Sequence, residues 1–378
     1  MKFDVERDDF LPAVQTVLNV VSPRVTLPII ANILLQLQGK KLTLYATDLD
    51  ISIKTQLKIS QGEDGVIALP AKKLAEIIRE LPDETISVKI KDKQANINCG
   101  KGQFQLMGMT GDDFPQFPEA LSGQKFTVSQ SLLSRMIHKT LYSTSKDETR
   151  PVLNGVLWQI SETDMRMVAT DGHRLAKMEV QQGGPAGFQK DVIVPAKTLN
   201  QLIRLFGEQD VEVEVIVAEN HVVFALDGTT LYSRVMEGPY PNYEQVIPTD
   251  NDKTLIVDRE ALNAAVRRVS ILSNALTHQV KFDISSGKME LSASDRDIGG
   301  EARDTLETEY KGESMQVGYN ANYVIEILKH MESSKVIFEL SSPVRAGLVK
   351  PLEQQKGEDY LCLLMPLRLT DESPKHKS

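Results

Sequence analysis

The chain has 378 residues, of which 41% are hydrophobic and 25% charged, and its net charge at pH 7 is −9. This composition is typical of a globular protein, and the length predicts two or three domains because a single hydrophobic core stops growing well below this size. No run of about 18 apolar residues predicts a membrane span, and two cysteines are too few for a disulfide framework.

The start of the chain and the cysteines indicate where the protein works. Residues 1–7 carry acidic side chains where a secretory signal needs a long apolar region. Cys99 and Cys362 lack metal-ligand spacing, so we expect both to be small buried side chains. We therefore expect a cytoplasmic protein without a metal or cofactor. The negative net charge argues against nucleic acid as a partner, unless basic residues are concentrated on one surface.

Each third of the chain begins with a predicted amphipathic helix. Apolar side chains recur at the spacing of a helix face in residues 8–21, 129–144 and 258–272. In the second of these segments the apolar positions are Leu132, Leu133, Met136, Ile137 and Leu141. We expect these side chains to pack in the core and to have no further role.

A second helix is predicted after a proline corner. Residues 42–45 and 51–53 alternate as strands do. The sequence Pro70-Ala71-Lys72 then precedes apolar residues at helical spacing, namely Leu74, Ile77, Ile78 and Leu81. Proline suits the first turn of a helix, where its missing N–H leaves no hydrogen bond unmade. Alternation resumes in residues 86–90 and 211–215, so we predict an α+β fold in which two helices per third pack on antiparallel sheets.

Three unrelated landmarks recur at one spacing along the chain. Each reappears 123 to 126 residues further on, which indicates a threefold internal repeat. The landmarks are Thr47-Asp48, Thr170-Asp171 and Ser294-Asp295; Pro70-Ala71-Lys72, Pro195-Ala196-Lys197 and Asn320-Ala321-Asn322; and Phe114-Pro115, Tyr240-Pro241 and Met365-Pro366. We therefore predict three domains, 1–124, 125–251 and 252–369, followed by a polar tail at 370–378 that we expect to be disordered.

Charge is distributed unevenly between the predicted helices and the rest of the chain. The six helical segments together carry +4, which leaves −13 on the remainder of a chain whose net charge is −9. Each basic residue alone is consistent with a solvated helix face, but the separation favours a cationic surface that faces a polyanion. The basic residues concerned include Lys72, Lys73, Arg79, Arg135, Lys139, Lys146, Lys197, Arg204, Arg267 and Arg268.

The number of helices suggests how such a surface is arranged. Two copies of the chain supply twelve helices, and helices packed about 10 Å apart around a ring give a circumference of about 120 Å. The corresponding diameter of about 38 Å admits a DNA duplex about 20 Å wide, with room for water. Such a ring would hold DNA by topology, and its modest charge would let the DNA slide.

Two other classes of function have to be weighed. Asp171, His173 and Arg174 lie close together and could suggest an enzyme. Catalysis needs convergent partners, however, whereas Asp48 and Asp295 recur without a neighbouring histidine, as turn aspartates do. We therefore expect no catalytic residue. A non-catalytic repeat scaffold that binds proteins without DNA is the second alternative, and the repeat alone permits it.

Several sequence runs are shared with one protein family. They are MKFDVERDDF at the start, PRVTLPIIANILLQ (23–36), LNGVLWQI (153–160), VATDGHRLA (168–176), VIVPAK (192–197), ILSN (271–274), GYNANYV (318–324) and MPLRL (365–369). Over residues 1–369 the chain resembles the bacterial β sliding clamps, the processivity subunits of DNA polymerase III. The resemblance implies the DNA clamp fold, with three similar domains forming half of a closed ring. It also implies a head-to-tail homodimer around double-stranded DNA of any sequence, without catalytic or 3′–5′ exonuclease activity.

The resemblance further implies a pocket at the boundary of the second and third domains. In this family the replicative polymerase, the clamp loader and repair polymerases insert short peptide motifs there, with a glutamine and bulky hydrophobic residues. Gln245 and Thr277 stand where better-known members carry an arginine and an aromatic residue, so motif preference is expected to differ. The matching positions are Leu153, Thr170, Gly172, His173, Arg174, Leu175, Pro241, Val246, Asn320, Tyr323, Val344, Met365, Pro366, Leu367, Arg368 and Leu369.

Two further sets of positions follow from the resemblance. The DNA-binding positions are Arg24, Lys72, Lys73, Arg150 and Lys197, and Ala196 replaces a frequent basic residue beside them. The dimer contacts fall on Phe104, Leu106, Ile271 and Leu272, with the charges of Glu301 and Asp304 nearby. Because the first domain of one chain would meet the third domain of the other, the contact is heterologous and closes into a ring.

Overall fold

The computed structural model describes residues 1–22, 27–117, 123–295 and 299–369. Six α-helices lie in this part of the chain: α1 (Arg7–Leu18), α2 (Ala71–Glu80), α3 (Gln130–Thr140), α4 (Ala196–Leu205), α5 (Arg259–Ser270) and α6 (Ala321–Lys329). All six were predicted, but α3 ends before residue 144 because Leu141–Ser143 form a 3-10 turn. Within the described ranges no helix is long and apolar enough to cross a membrane.

The strands are short, and adjacent strands run antiparallel in every ladder. In chain order they are β1 (Lys2–Glu6), β2 (Asn32–Gln38), β3 (Lys41–Thr47), β4 (Ile51–Lys58), β5 (Gly62–Glu63), β6 (Gly65–Pro70), β7 (Thr85–Lys91), β8 (Gln94–Cys99), β9 (Gly102–Met107), β10 (Gln124–Ser129), β11 (Gly155–Ile160), β12 (Met165–Thr170), β13 (Arg174–Val180), β14 (Lys190–Pro195), β15 (Glu212–Val217), β16 (His221–Leu226), β17 (Thr229–Arg234), β18 (Lys253–Asp258), β19 (Gln279–Ser285), β20 (Lys288–Asp295), β21 (Gly300–Glu307), β22 (Glu309–Lys311), β23 (Met315–Asn320), β24 (Lys335–Leu340), β25 (Gly347–Pro351) and β26 (Glu358–Leu364). The predicted antiparallel α+β fold is therefore confirmed.

The strands form four sheets, and two of these sheets join neighbouring repeats. The five-stranded sheet has the order β5-β1-β7-β8-β9, and the four-stranded sheet has the order β21-β20-β19-β23. The eight-stranded sheet, β10-β15-β16-β17-β4-β3-β2-β6, joins strands of the first and second repeats where β17 pairs with β4. The nine-stranded sheet, β14-β11-β12-β13-β26-β25-β24-β18-β22, joins the second and third repeats where β13 pairs with β26.

The compact units of the structure follow these sheets. One unit consists of Met1–Ser134 and Lys197–Met236, and the other of Arg135–Ala196 and Glu237–Ser378. The second repeat is therefore divided between the two units, since each half of it contributes strands to a different large sheet. The domain limits predicted from the sequence repeat remain a prediction.

The helices bury the apolar faces that the sequence predicted. Helix α1 packs against α2 and against strands β3 and β4, while α5 packs against α6 and against strands β20 and β21. Leu133, Met136 and Ile137 of α3 are fully buried. Cys99 and Cys362 are buried as free thiols, as expected for small core residues.

The landmarks differ in how well the structure supports their equivalence. Pro70 ends β6 and directly precedes α2, Pro195 ends β14 before α4, and Asn320 ends β23 before α6. Pro70 has φ −52° and ψ 111°, so it is the N-cap residue of α2. The prediction that this proline lies in the first turn of the helix is therefore wrong. Met365 directly follows β26, whereas Phe114 lies seven residues after β9, so Met365-Pro366 is not structurally equivalent to Phe114-Pro115.

Asp258 caps α5, and its removal should destabilise the protein. Its side chain accepts a hydrogen bond from the Ala261 N–H at 2.8 Å. We expect Asp258→Ala to lower the free energy of unfolding by about 1 kcal/mol in urea titrations, because one helix N–H loses its partner. Asp258→Asn keeps an acceptor and should change little. An equal loss for both variants would show that the hydrogen bond is not the cause.

Candidate functional site

The sixteen positions predicted for a peptide pocket all lie in the unit formed by Arg135–Ala196 and Glu237–Ser378. Leu153 lies in a 3-10 turn before β11, and residues 170–175 cover the turn from β12 to β13. Asn320 and Tyr323 lie at the start of α6. The remaining positions lie in three segments without regular strands, which are 241–246, the loop at residue 344 and the segment 365–369.

Asp171 organises the turn between β12 and β13. Its Oδ1 accepts hydrogen bonds from the N–H groups of His173, at 2.8 Å, and Arg174, at 3.0 Å. Gly172 has a φ of +91°, a conformation that favours glycine because it has no Cβ. Asp48 accepts two backbone N–H groups in the same way after β3. The turn role predicted for these two aspartates is confirmed.

Arg174 is a buried crosslink. Its guanidinium pairs with Asp171 at 3.1 Å and with Glu326, donates to the Tyr142 carbonyl at 2.7 Å, and lies 4.5 Å from the centre of the Tyr323 ring. Burial by itself lowers the pKa of Arg174, but the hydrogen bond to Glu326 raises it above its usual value, so the charge is retained. Arg174 therefore supports the predicted pocket by holding β13, α6 and the chain after α3 together.

The segment 365–369 runs beside this turn. The Met365 N–H donates to the His173 carbonyl at 2.9 Å, and the Leu367 N–H donates to the Gly318 carbonyl at 2.8 Å. These bonds attach the segment to β23 on one side and to the β12–β13 turn on the other. The Met365 side chain stays 42% exposed, so it is available to contact an apolar ligand.

Asn320 fixes the start of α6 close to the same turn. Its Oδ1 accepts from the Asn322 N–H at 2.9 Å, and its Nδ2 donates to the Thr277 carbonyl at 3.1 Å. The Tyr323 ring lies 6.3 Å from the His173 ring. Amide and ring groups therefore border the segment, and Thr277 contributes a small polar residue where the resemblance leads one to expect an aromatic one.

The predicted pocket positions divide into open and buried side chains. Val344 is 69% exposed and Val246 is 57% exposed, so both side chains are open to solvent, as the Met365 side chain is. Leu153 and Leu175 are buried, so they support the surface from behind. An apolar surface bordered by fixed polar groups is typical of a site for a short peptide.

A polar network that the sequence analysis did not anticipate holds the segment 238–244 in place. The Tyr243 hydroxyl donates to Gln159 Oε1 at 2.7 Å and accepts from Arg166 Nη1 at 3.0 Å. Arg166 also pairs with Glu244 at 3.2 Å. Burial raises the pKa of Tyr243, so its hydroxyl stays a donor. No sequence spacing signals this network, because Arg166 and Tyr243 are 77 residues apart.

The predicted DNA-binding residues differ in their surroundings. Arg24 lies outside the described residues. Lys72 and Lys73 are exposed on α2, where Lys73 pairs at 2.6 Å with an acid one turn away. Lys197 is exposed at the start of α4 and pairs with the turn residue Asp48. A DNA phosphate would therefore have to displace a carboxylate from Lys197 but not from Lys72, which has no ion pair within the described ranges.

Arg150 lies beside the predicted peptide pocket. It pairs with Asp147 at 3.1 Å and is partly exposed. A Cβ added to Gly172 would lie 3.0 Å from Arg150 Nη1, so the guanidinium stands directly against the β12–β13 turn. The structure thus groups Arg150 with the pocket positions, and its contact with DNA stays a prediction.

Two basic residues of α3 are neutralised inside the fold. The Lys139 side chain is 7% exposed and pairs with Glu332 at 3.0 Å and Glu358 at 3.8 Å. Arg135 pairs with Glu358 at 2.5 Å. The expectation that these two residues add to a cationic helical surface is wrong, because the buried Glu358 carboxylate needs both of them as counter-ions.

The predicted dimer residues lie on or beside two sheet edges. Phe104 is 37% exposed and Leu106 half-buried on β9, the last strand of the five-stranded sheet. Ile271, which is 76% exposed, and the half-buried Leu272 follow α5, which packs on β21. Strand β21 is the last strand of the four-stranded sheet and carries the charges predicted at this contact.

The three residues that suggested an enzyme have structural roles. Asp171 and Arg174 are used in the turn and in the crosslink described above. His173 is bonded through its backbone N–H and carbonyl, while its ring is open to solvent. Across residues 1–22, 27–117, 123–295 and 299–369, no three His, Cys, Asp or Glu side chains are grouped as a metal site requires.

The crosslink through Arg174 should matter far more for stability than an exposed ion pair. We expect Arg174→Ala to lower the free energy of unfolding by about 3 kcal/mol, because it leaves a buried hydrogen-bonding network incomplete. Arg345→Ala is the matched control, since Arg345 pairs with Asp250 at 2.5 Å on the surface and its loss should cost less than about 1 kcal/mol. Urea unfolding measures both, and equal losses would contradict the structural role of Arg174.

Comparison with known proteins gives matches over nearly the whole chain. The family models of the DNA polymerase III beta subunit match in order, the N-terminal domain at residues 1–118, the central domain at 127–242 and the C-terminal domain at 244–368. The beta sliding clamp of Pseudomonas aeruginosa is 32% identical over 371 residues, which cover 98% of this chain and 100% of that protein.

Solved structures give the same result. A crystal structure of the DNA polymerase sliding clamp from Pseudomonas aeruginosa matches with a TM-score of 0.93 and 32% identity. The C. crescentus beta sliding clamp matches with a TM-score of 0.91 and 34% identity, and the clamp from Bacillus subtilis with 0.93 and 26%. Each match covers 98% of this chain and 100% of the other.

Proposed function

This chain belongs to the DNA polymerase III beta subunit family, the beta sliding clamps, and from that premise we propose that two copies close head to tail into a ring around duplex DNA. The chain is a DNA clamp that serves the processivity of DNA polymerase III, and it is a non-catalytic subunit. Both alternatives considered from the sequence, an enzyme and a protein scaffold without DNA, are thereby set aside.

The observation that carries the proposed ring is a pair of outer strands that end two of the sheets. Strand β9 ends the five-stranded sheet and β21 ends the four-stranded sheet. Outer strands present N–H and C=O groups that invite another strand to pair. Pairing β9 of one copy with β21 of the second would continue both sheets across the contact. Such a head-to-tail contact, made twice, closes the ring.

Apolar side chains beside these two strands support the same contact. Ile271 is the most exposed of them. A partner that covered this side chain would remove its apolar surface from water, which is favourable. We propose that Ile271 and Leu272 of one copy pack against Phe104 and Leu106 of the second. Burying side chains of this kind stabilises an interface by about 1.5 to 3 kcal/mol each before the costs of association.

The ring would bind DNA through its backbone phosphates. Lys72, Lys73 and Lys197 are exposed on α2 and α4, and we propose that they contact phosphates together with Arg24 and Arg150. Contacts to phosphates carry no sequence information, so the clamp would move on any duplex. A few such contacts steer DNA without stopping its movement, because each adds only modest affinity.

The second proposed site receives short peptides from proteins that use the clamp. We propose that the replicative polymerase, the clamp loader and repair polymerases each insert a motif with a glutamine and bulky hydrophobic residues. Val246, Val344 and Met365 are open apolar side chains, and Met365 bonds through its N–H to His173, whose ring lies near Tyr323 at the start of α6. This combination of apolar anchors and fixed polar groups gives orientation as well as affinity.

The organisation of the chain completes the proposal. We propose that the repeats extend over 1–124, 125–251 and 252–369, as the landmarks at the ends of β3, β12 and β20 and before α2, α4 and α6 indicate, and that the protein works in the cytoplasm. The tail at 370–378, for which disorder was predicted, lies outside the described residues.

The mass of the protein in solution tests the ring directly. We expect light scattering to give about twice 42.1 kDa across a dilution series. Ile271→Asp should shift the mass toward the monomer, because a charge would be buried in the contact. Leu49→Asp is the control, since Leu49 is also exposed and its φ of +83° suits aspartate well. A native protein that stays monomeric at high concentration would contradict the proposed dimer.

Retention on DNA provides the matching functional test. The native ring should stay on closed circular DNA and leave after linearisation, since only a closed circle traps a ring. The Ile271→Asp variant should not be retained on either form. Equal loss of the native protein from circular and linear DNA would contradict encirclement.

The peptide site is tested by removing its anchors. We expect Met365→Ala with Leu367→Ala to weaken a motif peptide at least about tenfold in calorimetry, because buried apolar contact is lost. Retention on circular DNA should stay unchanged. Leu352→Ala, at another partly exposed leucine, is the control. Undiminished peptide affinity in the double variant would contradict the site.

A further inference from the structure

A cleft of about 410 Å³ lies between the edge of the nine-stranded sheet and the segment 238–244. Two cross-strand pairs of β11 and β14 form its floor, in which Leu157 lies opposite Ile193 and Gln159 lies opposite Asp191. Residues two apart along a strand point to the same face, so all four side chains line the cleft. Its floor is therefore apolar at one end and polar at the other.

The polar end of the cleft has a fixed geometry. Gln159 Nε2 donates to Asp191 Oδ2 at 2.9 Å, and the Tyr243 hydroxyl donates to Gln159 Oε1 at 2.7 Å. Arg166 donates in turn to the Tyr243 hydroxyl. The Asp191 carboxylate is thus oriented by a chain of three hydrogen bonds, although its side chain remains exposed to solvent.

The cleft continues from the proposed peptide site. Pro241 belongs to that site and also lines the cleft. A Cβ added to Gly238, whose φ is +113°, would lie 3.4 Å from Val152 Cγ1. Val152 and the pocket residue Leu153 lie in the same 3-10 turn. A peptide that leaves the proposed site along the segment 238–244 would therefore enter the cleft.

The charge around the polar end is negative. The network contains two cations, Arg166 and Lys177, and four carboxylates, so its net charge is −2. The carboxylates belong to Glu179, Asp191, Glu244 and Asp359. Within the described part of the chain, Asp191 has no basic side chain in ion-pair contact. One more cation paired with Asp191 would therefore leave the network with a net charge of −1.

We propose that the cleft binds a basic residue that flanks the motif of a partner peptide. The cationic head of a lysine or arginine would pair with Asp191, and its stem would lie over the floor of the cleft, where Leu157 and Ile193 are 6% and 5% exposed. The cleft would then make the clamp favour partners whose motif is followed or preceded by a basic residue. This inference rests on the proposed peptide site and adds to it a preference for the charge of the flanking residue.

The test compares peptides that differ in one charge. A core peptide carries a glutamine and two bulky hydrophobic residues. Longer peptides extend this core by two residues at either its N-terminal or its C-terminal end, and the last added residue is lysine or acetyl-lysine. Acetyl-lysine keeps the stem but removes the charge. Fluorescence anisotropy measures their affinity for the full chain, for Asp191→Asn and for the control Asp227→Asn, which alters an exposed aspartate on another hairpin.

We expect the lysine peptide extended at one end to bind about two- to fivefold more tightly than its acetyl-lysine counterpart, as an exposed ion pair contributes. The difference should vanish in Asp191→Asn and persist in Asp227→Asn. Equal binding of lysine and acetyl-lysine peptides at both ends, with the core still bound, would overturn the cleft alone. Equal weakening of all peptides by Asp191→Asn would also overturn it, and failure of the core peptide to bind would overturn the proposed site and this inference together.

Discussion

The rest of the structure depends on main-chain pairing between strands of different repeats. Strand β17 pairs with β4, so that Leu231 lies opposite Ile53, and β13 pairs with β26, so that Ala176 lies opposite Cys362. Each of these two ladders makes one large sheet from strands of two repeats, and the two strands that pair no longer have a free edge. A repeat that shared no strand would leave those backbone groups to water. The pairing therefore explains why the compact units of the chain divide the second repeat.

The proposed peptide site is a consequence of one of these ladders. Because Arg174 lies opposite Leu364, the segment that follows β26 must leave the sheet beside the β12–β13 turn. Met365 then bonds to His173, and Arg174 is buried where it can reach Glu326 of α6. A shift of one residue in this register would turn every side chain of β26 to the opposite face and separate these groups.

Charge acts in two ways in this chain. Buried pairs such as Lys139 with Glu358 satisfy each other, and they contribute nothing to the surface that DNA would meet. Exposed residues such as Lys72 remain available to phosphates, so the cationic surface rests on fewer residues than the sequence count suggests. The negative network at Asp191 lies in the other compact unit, where it would select a basic peptide residue. The net charge of −9 is thus compatible with a protein that encircles DNA.

The sequence by itself determined the features that depend on neighbouring residues. The threefold repeat, the six helices, the antiparallel strands and the turn roles of Asp48 and Asp171 all follow from hydrophobic period, proline corners and short side-chain-to-backbone bonds. Only the tertiary structure decided which strands of different repeats pair, that Arg174 is buried, and that Arg150 stands against Gly172. These features join residues that are far apart in the chain. Lys139 and Glu332, for example, are separated by 193 positions in the sequence. Strand register and the cost of burying charge decide them, and neither leaves a local pattern in the sequence.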